Sequence, residues 1–253
     1  MEKVILSANY LNNKQIDSIC NVLTDIYTAK KLEEGIEISK IDIEEFVKKI
    51  LGCDIVFENI AEEEIEKDDY DCMGFIADGI QKFPVRRDGH VEWIVFPKDT
   101  IVLDRYLNDP KQLNHKRFVI AHEAGHIIKN RMYGTVKAEF NHAGGAVLTT
   151  APAMLKRYSF KEIEANNFAA SLLIPEGMIA MLMHKLYGDK QIVKYVDNIL
   201  DGEDAKNISG MARIFGVAYS TMYYRLLKLG YIVEGVLETY VEDTVLGDNI
   251  NGE

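Results

Sequence analysis

Two histidines, His122 and His126, stand four positions apart in the stretch RFVIAHEAGHIIKN, with Glu123 directly after the first. A helix turns through about 100° per residue, so positions i and i+4 lie nearly one above the other. Both imidazoles then face a common point, where two neutral ring nitrogens can bind Zn2+ at roughly 2.0–2.1 Å. Zinc lowers the pKa of a water it holds toward about 7, and a carboxylate within hydrogen-bond reach accepts the proton as hydroxide attacks a carbonyl. Glu123 is placed for that task. The bland alternative is a pair of ordinary polar histidines on an exposed helix. Two histidines alone make a weak, open site, because catalytic zinc takes three protein ligands and a water. Downstream, SFKEIEANNFAASLLIP reads as an amphipathic helix in which Glu162 and Asn166 form a second i, i+4 pair. One of them could bind metal while the other holds the second ring nitrogen of a histidine. Ser159, three residues before Glu162, resembles a capping box, which puts Glu162 in the first turn. Glu164 is the rival ligand, but it points roughly 200° away around the helix.

These residues need elements to carry them. From Asn12 to Leu51 the chain reads as helices, with Ile16, Ile19, Val22, Leu23 and Ile26 at helical spacing and a second set at Ile43, Phe46, Val47 and Ile50. From Cys53 to Leu103 the texture changes to short β-branched runs, CDIVFEN, MGFIAD, HVEWIVF and DTIVLD, separated by Asp, Gly and Pro. The Asp-Gly pair in RRDGHVEW belongs to a tight hairpin turn, so an antiparallel sheet is expected. The segment NDPKQLNHKRFVIAHEAGHIIKNRMYG then has helical periodicity and stops at Gly134 after Lys129 and Arg131, cations suited to a helix C-terminus.

Composition narrows what such a site serves. With 253 residues, 47% hydrophobic and 27% charged, the chain can bury a substantial core in one large domain or two smaller ones. The formal net charge of -11 argues against a protein that coats nucleic acid through its whole surface. Acid gathers in AEEEIEKDDYD and in the tail after Tyr231, and both read as solvated surface. Cys20, Cys53 and Cys72 are odd in number and widely spaced, which suggests neither a disulfide framework nor a cysteine zinc knuckle and fits a reducing cytoplasm. The opening apolar run is too short for a signal peptide, and no uncharged stretch reaches the roughly 18 residues of a membrane span. The most apolar segment, FAASLLIPEGMIAMLM, is broken by Pro175 and Glu176 and reads as core.

HEAGH followed by EIEANNFAASLLIP resembles the ImmA/IrrE family of zinc metallopeptidases, whose second motif has the form E-x-x-A-N-x-F-A before a Leu-rich stretch and Pro. The likeness covers about Asp104 to Pro175. It implies His122, His126 and Glu162 as metal ligands, Glu123 as general base and Asn166 as the partner of a ligand histidine. The arrangement is similar to that of thermolysin-like zincins, which also supply a His or Tyr to the oxyanion. No motif identifies that residue here; Tyr133, His142 and Tyr158 are candidates. His90, His115 and His184 have no partner pattern and read as ordinary surface or core histidines. Zinc is the expected ion, with Mn2+ or Co2+ tolerated by the same ligand set.

The segment NISGMARIFGVAYSTMYYRLLKLGYI raises a second possibility. Ala212, Gly216 and Met222 fall where a helix-turn-helix wants a small residue, a turn glycine and an apolar residue of the next helix. Between Ala205 and Gly230 the charges are Lys206, Arg213, Arg225 and Lys228, with no acid. Tyr223, Tyr224, Leu226 and Leu227 read as buried, so packing or partner binding outweighs DNA contact. The expected fold is α+β: a helical region over 1–52, a zincin-like metallopeptidase domain with a small antiparallel sheet over 53–185, a helix-turn-helix-like module over 186–233 and an acidic tail over 234–253. By resemblance, the expected function is a zinc endopeptidase that cleaves a helix-turn-helix repressor and relieves repression of mobile-element or stress genes. The alternative is a non-proteolytic DNA- or repressor-binding regulator with a structural or vestigial metal site. An extended substrate could pair with an edge strand, for which Gly145 to Thr150 is a candidate.

Overall fold

The computed structural model describes residues 10–61, 73–133, 140–141, 160–195, 200–236, 238 and 241. Its α+β architecture begins with α1, Asn13–Glu33. Asn12 caps the helix by accepting from the Gln15 backbone at 3.0 Å, while the Gln15 side chain accepts from the Asn12 backbone at 2.9 Å. The inward stripe is Ile16, Cys20, Thr24, Tyr27 and Lys31. This differs from the apolar set expected on α1, because Val22 and Ile26 are 60% and 45% exposed. Cys20 and Thr24 take the inner places because another helix passes there and small side chains admit it. The Thr24 hydroxyl is satisfied by the Cys20 carbonyl at 2.9 Å.

Asp42 caps a short α2, Ile43–Phe46, which continues as a π-helical turn through Val47–Leu51 and stops at Gly52, where φ is +63°. The strands that follow are β1 Ile55–Glu58, β2 Gly74–Ile76, β3 Lys82–Arg87, β4 His90–Val95, β5 Ile101–Asp104 and the two-residue β6 Phe140–Asn141. They do not form the wholly antiparallel sheet expected. The main sheet has the order β1-β5-β2-β6, with β1 parallel to β5 and the other pairs antiparallel. The reason is topological: the chain leaves β1, makes β2 and a hairpin, and returns between β1 and β2. That hairpin, β3 with β4, is a separate sheet turned by Asp88 and Gly89 with φ of +48° and +80°, the backbone the Asp-Gly pair favours. Phe83 stacks on Phe75 at 4.0 Å between ring centroids, so the hairpin covers one face of the main sheet with a small second core.

The other helices are α3 Leu113–Tyr133, α4 Phe160–Leu173, α5 Glu176–Tyr187, α6 Gly202–Phe215 and α7 Tyr219–Lys228. Two short parallel strands, β7 Ile192–Lys194 and β8 Ile232–Glu234, pair on either side of α6 and α7 in the sequence. The main core runs without a break from Leu11 on the N-terminal side to Ile232, and α3 is buried along its length from Arg117 to Ile128. Among the described residues no single helix is long and apolar enough to cross a membrane.

Candidate active site

α3 and α4 cross at a glycine. A Cβ added to Gly125 would lie 2.6 Å from the Cβ of Phe168 and 3.3 Å from the Ala165 carbonyl. A hydrogen at this position therefore lets the two helices approach, with His122 and His126 on one side and Glu162 and Asn166 on the other. The i, i+4 spacing points to the imidazoles alone; the need for a glycine between them arises from the packing of α4.

Across this crossing the side chains converge. Asn166 Oδ1 lies 2.9 Å from His122 Nδ1. An amide oxygen can only accept, so that nitrogen carries the proton and Nε2 keeps its lone pair. His122 Nε2 is 3.1 Å from His126 Nε2 and 3.1 Å from Glu162 Oε2, and His126 Nε2 is 3.5 Å from Glu162 Oε1. Tetrahedral ligands at roughly 2.0–2.1 Å from zinc stand about 3.3–3.4 Å apart, so the three donors have the separations one small ion requires. His122, His126 and Glu162 are all strongly shielded from solvent, and Glu162 Oε2 makes no hydrogen bond. A buried carboxylate oxygen in that condition calls for a cation.

The electrostatics agree. Burial alone would push the Glu162 carboxyl up, but the His122 and His126 imidazoles against it outweigh burial and hold it well below the usual range. Burial alone would likewise lower His122; Glu162, Glu123 and Asn166 together raise it. The centre thus favours positive charge. The donor set and the separations fit a divalent metal.

Glu123 is fully buried, one residue beyond His122, and its charge is felt by that imidazole. Glu164, the rival ligand, lies away from the centre. It accepts from the Leu11 backbone at 2.6 Å and pairs with Lys129, tying the N-terminal segment to α3 and α4. Tyr133 is half-buried at the end of α3 and packs on the main core. His142, Tyr158, Ser159 and the 145–150 segment lie outside the described residues. His90 and His184 are exposed and His115 is half-buried, and the ligand cluster includes none of them.

In the C-terminal segment two of the four cations are committed to internal contacts. Gly216 makes the α6–α7 turn with φ of +64°, as a helix-turn-helix glycine would. Of the four cations, however, Arg225 is buried against Asp17 at 2.6 Å and the Lys228 amine bonds Asn167. Lys206 and Arg213 are exposed and make no such contact among the described residues. Tyr223 and Leu226 are buried, while Tyr224 and Leu227 are half-buried.

Two helix-borne imidazoles and a carboxylate, gathered beside a small mixed sheet, form a candidate site for a divalent metal. The family described as the IrrE N-terminal-like domain, Peptidase M78, matches residues 48–227, well over half of the 253 residues, and the chain belongs to it. No curated protein matches the chain. Among solved structures, a Mycobacterium tuberculosis transcriptional regulator aligns at 16% identity with a TM-score of 0.40. The alignment covers 86% of this chain and 47% of that one, so the chain spans about half that protein's length.

Proposed function

We propose that the protein is a zinc-dependent endopeptidase, with His122, His126 and Glu162 holding the ion and Glu123 serving as general base. The observation that carries this reading is the convergence of three buried donors on one point, with Glu123 beside it and not among them. A closed structural site would take four protein ligands and would have no use for an adjacent carboxylate. When bound, the metal supplies Lewis acidity, polarising the scissile carbonyl and acidifying a water. The chain's own residues do the rest. Asn166 fixes the His122 tautomer, and Glu162 brings negative charge that lowers the cost of keeping a dication in a buried site. Glu123 takes a proton from water at a carboxylate oxygen and returns it to the departing amine nitrogen, so the enzyme ends where it began.

The substrate we infer is a helix-turn-helix repressor, through family membership and not through any contact in the chain itself. In this reading residues 53–185 are the catalytic unit and residues 186–233 support it. The commitment of Arg225 and Lys228 to internal bonds weighs against the alternative of a DNA-binding regulator. Glu123→Gln tests the proposal: the variant should keep its metal and lose cleavage of a cognate repressor, with kcat/KM down at least about 100-fold. Cleavage at the native rate by this variant would remove Glu123 from the mechanism.

A further inference from the structure

The two helices that carry the candidate ligands share a neighbour. On α3, a little over one turn before His122, Arg117 is buried and donates to three carbonyls. Its Nε reaches Gly216 at 3.1 Å, and its terminal nitrogen reaches Phe215 at 3.1 Å and Ile41 at 2.9 Å. Two of these carbonyls close α6, where the helix has no further N–H of its own to offer them. The second attachment is to α4. Arg225 of α7 donates from Nε to the Ile174 carbonyl at 3.2 Å and from NH1 to Asp17 Oδ1 at 2.6 Å. The same Asp17 oxygen accepts from Ser171 of α4 at 2.6 Å. Lys228 bonds Asn167, the residue next to Asn166. The α6–α7 pair is thus fastened to α3 at its turn and to α4 along its second helix.

We infer that the α6–α7 pair is a brace that sets the separation of the two ligand helices, and that Arg117, Asp17, Arg225 and Lys228 are positioning residues for the metal centre. The inference rests on the reading that His122, His126 and Glu162 hold a divalent ion. None of the four reaches the ligand cluster; they act on it through the helices. The physical argument is stiffness. A guanidinium presents its donors in a fixed plane, and its bonds to carbonyls and a carboxylate are charge-assisted, so a buried arginine resists small displacements that apolar packing would allow. Metal ligation tolerates ligand shifts of only about 0.2 Å, so slack between α3 and α4 is read directly as lost affinity.

The test compares the zinc Kd, by chelator competition, with the thermal midpoint of each variant. Lys228→Met removes one bond from a partly exposed residue and should fold; Asp17→Asn and Arg225→Lys keep size while weakening the pairing. Phe83→Leu, in the small second core, is the control that loses stability far from the brace. The brace predicts zinc binding weakened about 3- to 30-fold in Lys228→Met and Asp17→Asn, with Arg225→Lys keeping more affinity than Arg225→Met. It also predicts an altered visible spectrum in their Co2+ forms and an unchanged Kd in Phe83→Leu. Native zinc affinity in Lys228→Met, Asp17→Asn and Arg225→Met, together with lowered thermal midpoints, would show a merely stabilising module and overturn the inference. A wild-type chain that takes up no zinc would overturn the metal reading itself, and the brace with it.

Discussion

Asn166 decides which nitrogen of His122 faces the centre, because its oxygen lies 2.9 Å from Nδ1. Replacing it with Ala frees the ring to turn and to change tautomer, and should weaken zinc binding about 10- to 100-fold, while Asp, which keeps an acceptor, should lose less. Chelator competition measures both; equal affinity in the Ala variant would remove Asn166 from the centre. Glu45 gives a separate expectation about acid. Hydrogen bonds from Lys49 and Tyr27, and then from Lys31, outweigh burial and lower its pKa from 4.5 to about 2. A depressed carboxyl contributes stability above its unfolded pKa and loses it as pH falls through the folded one. The stability gap between wild type and Glu45→Gln, read from urea midpoints, should therefore be full above about pH 5 and close between pH 4.5 and 2. A gap independent of pH would contradict it. At this scale much was legible in the sequence. The convergence of His122 with His126, and the pairing of Glu162 with Asn166, are local helical geometry. The bonds of Glu164 with Leu11 and Lys129 were not legible, because they join residues brought together only by the fold.

Between elements, the decisive contact is Gly125 against Phe168. A Cβ there would overlap a side-chain atom close to the α4 backbone, which a rotamer change cannot move aside. Gly125→Ala should cost about 1–3 kcal/mol through overpacking, and zinc affinity should fall with it as α4 carries Glu162 outward. Calorimetry and metal content check the two together. An alanine variant with native stability and native metal content would mean the crossing is looser than its distances. Helix existence and the β3–β4 turn were readable, because periodicity and Asp-Gly chemistry act locally. The parallel β1–β5 pairing was not, since strand order depends on where the chain returns. The inner face of α1 departs from the apolar pattern at Val22 and Ile26 for a related reason: Cys20 and Thr24 are inside because α4 needs room, which hydrophobicity alone does not register.

Over the whole molecule, one apolar core joins α1, α3, α4, α6 and α7. The α6–α7 amides should accordingly exchange with solvent through the same opening as those of α3, and native-state hydrogen exchange at increasing denaturant would show the two sets merging. Earlier exchange of α6–α7 as its own unit would contradict a shared core. This continuity was beyond the sequence, which shows Arg225 and Lys228 as cations without naming their partners; they are spent on Asp17, Ile174 and Asn167. The central claim is that His122, His126 and Glu162 form one metal centre, and metal content per chain by elemental mass spectrometry, for wild type beside Glu162→Ala, tests it most directly. The account predicts about one zinc per wild-type chain and a large loss in the variant. No tightly held metal in the wild type, or equal metal in both, would contradict it.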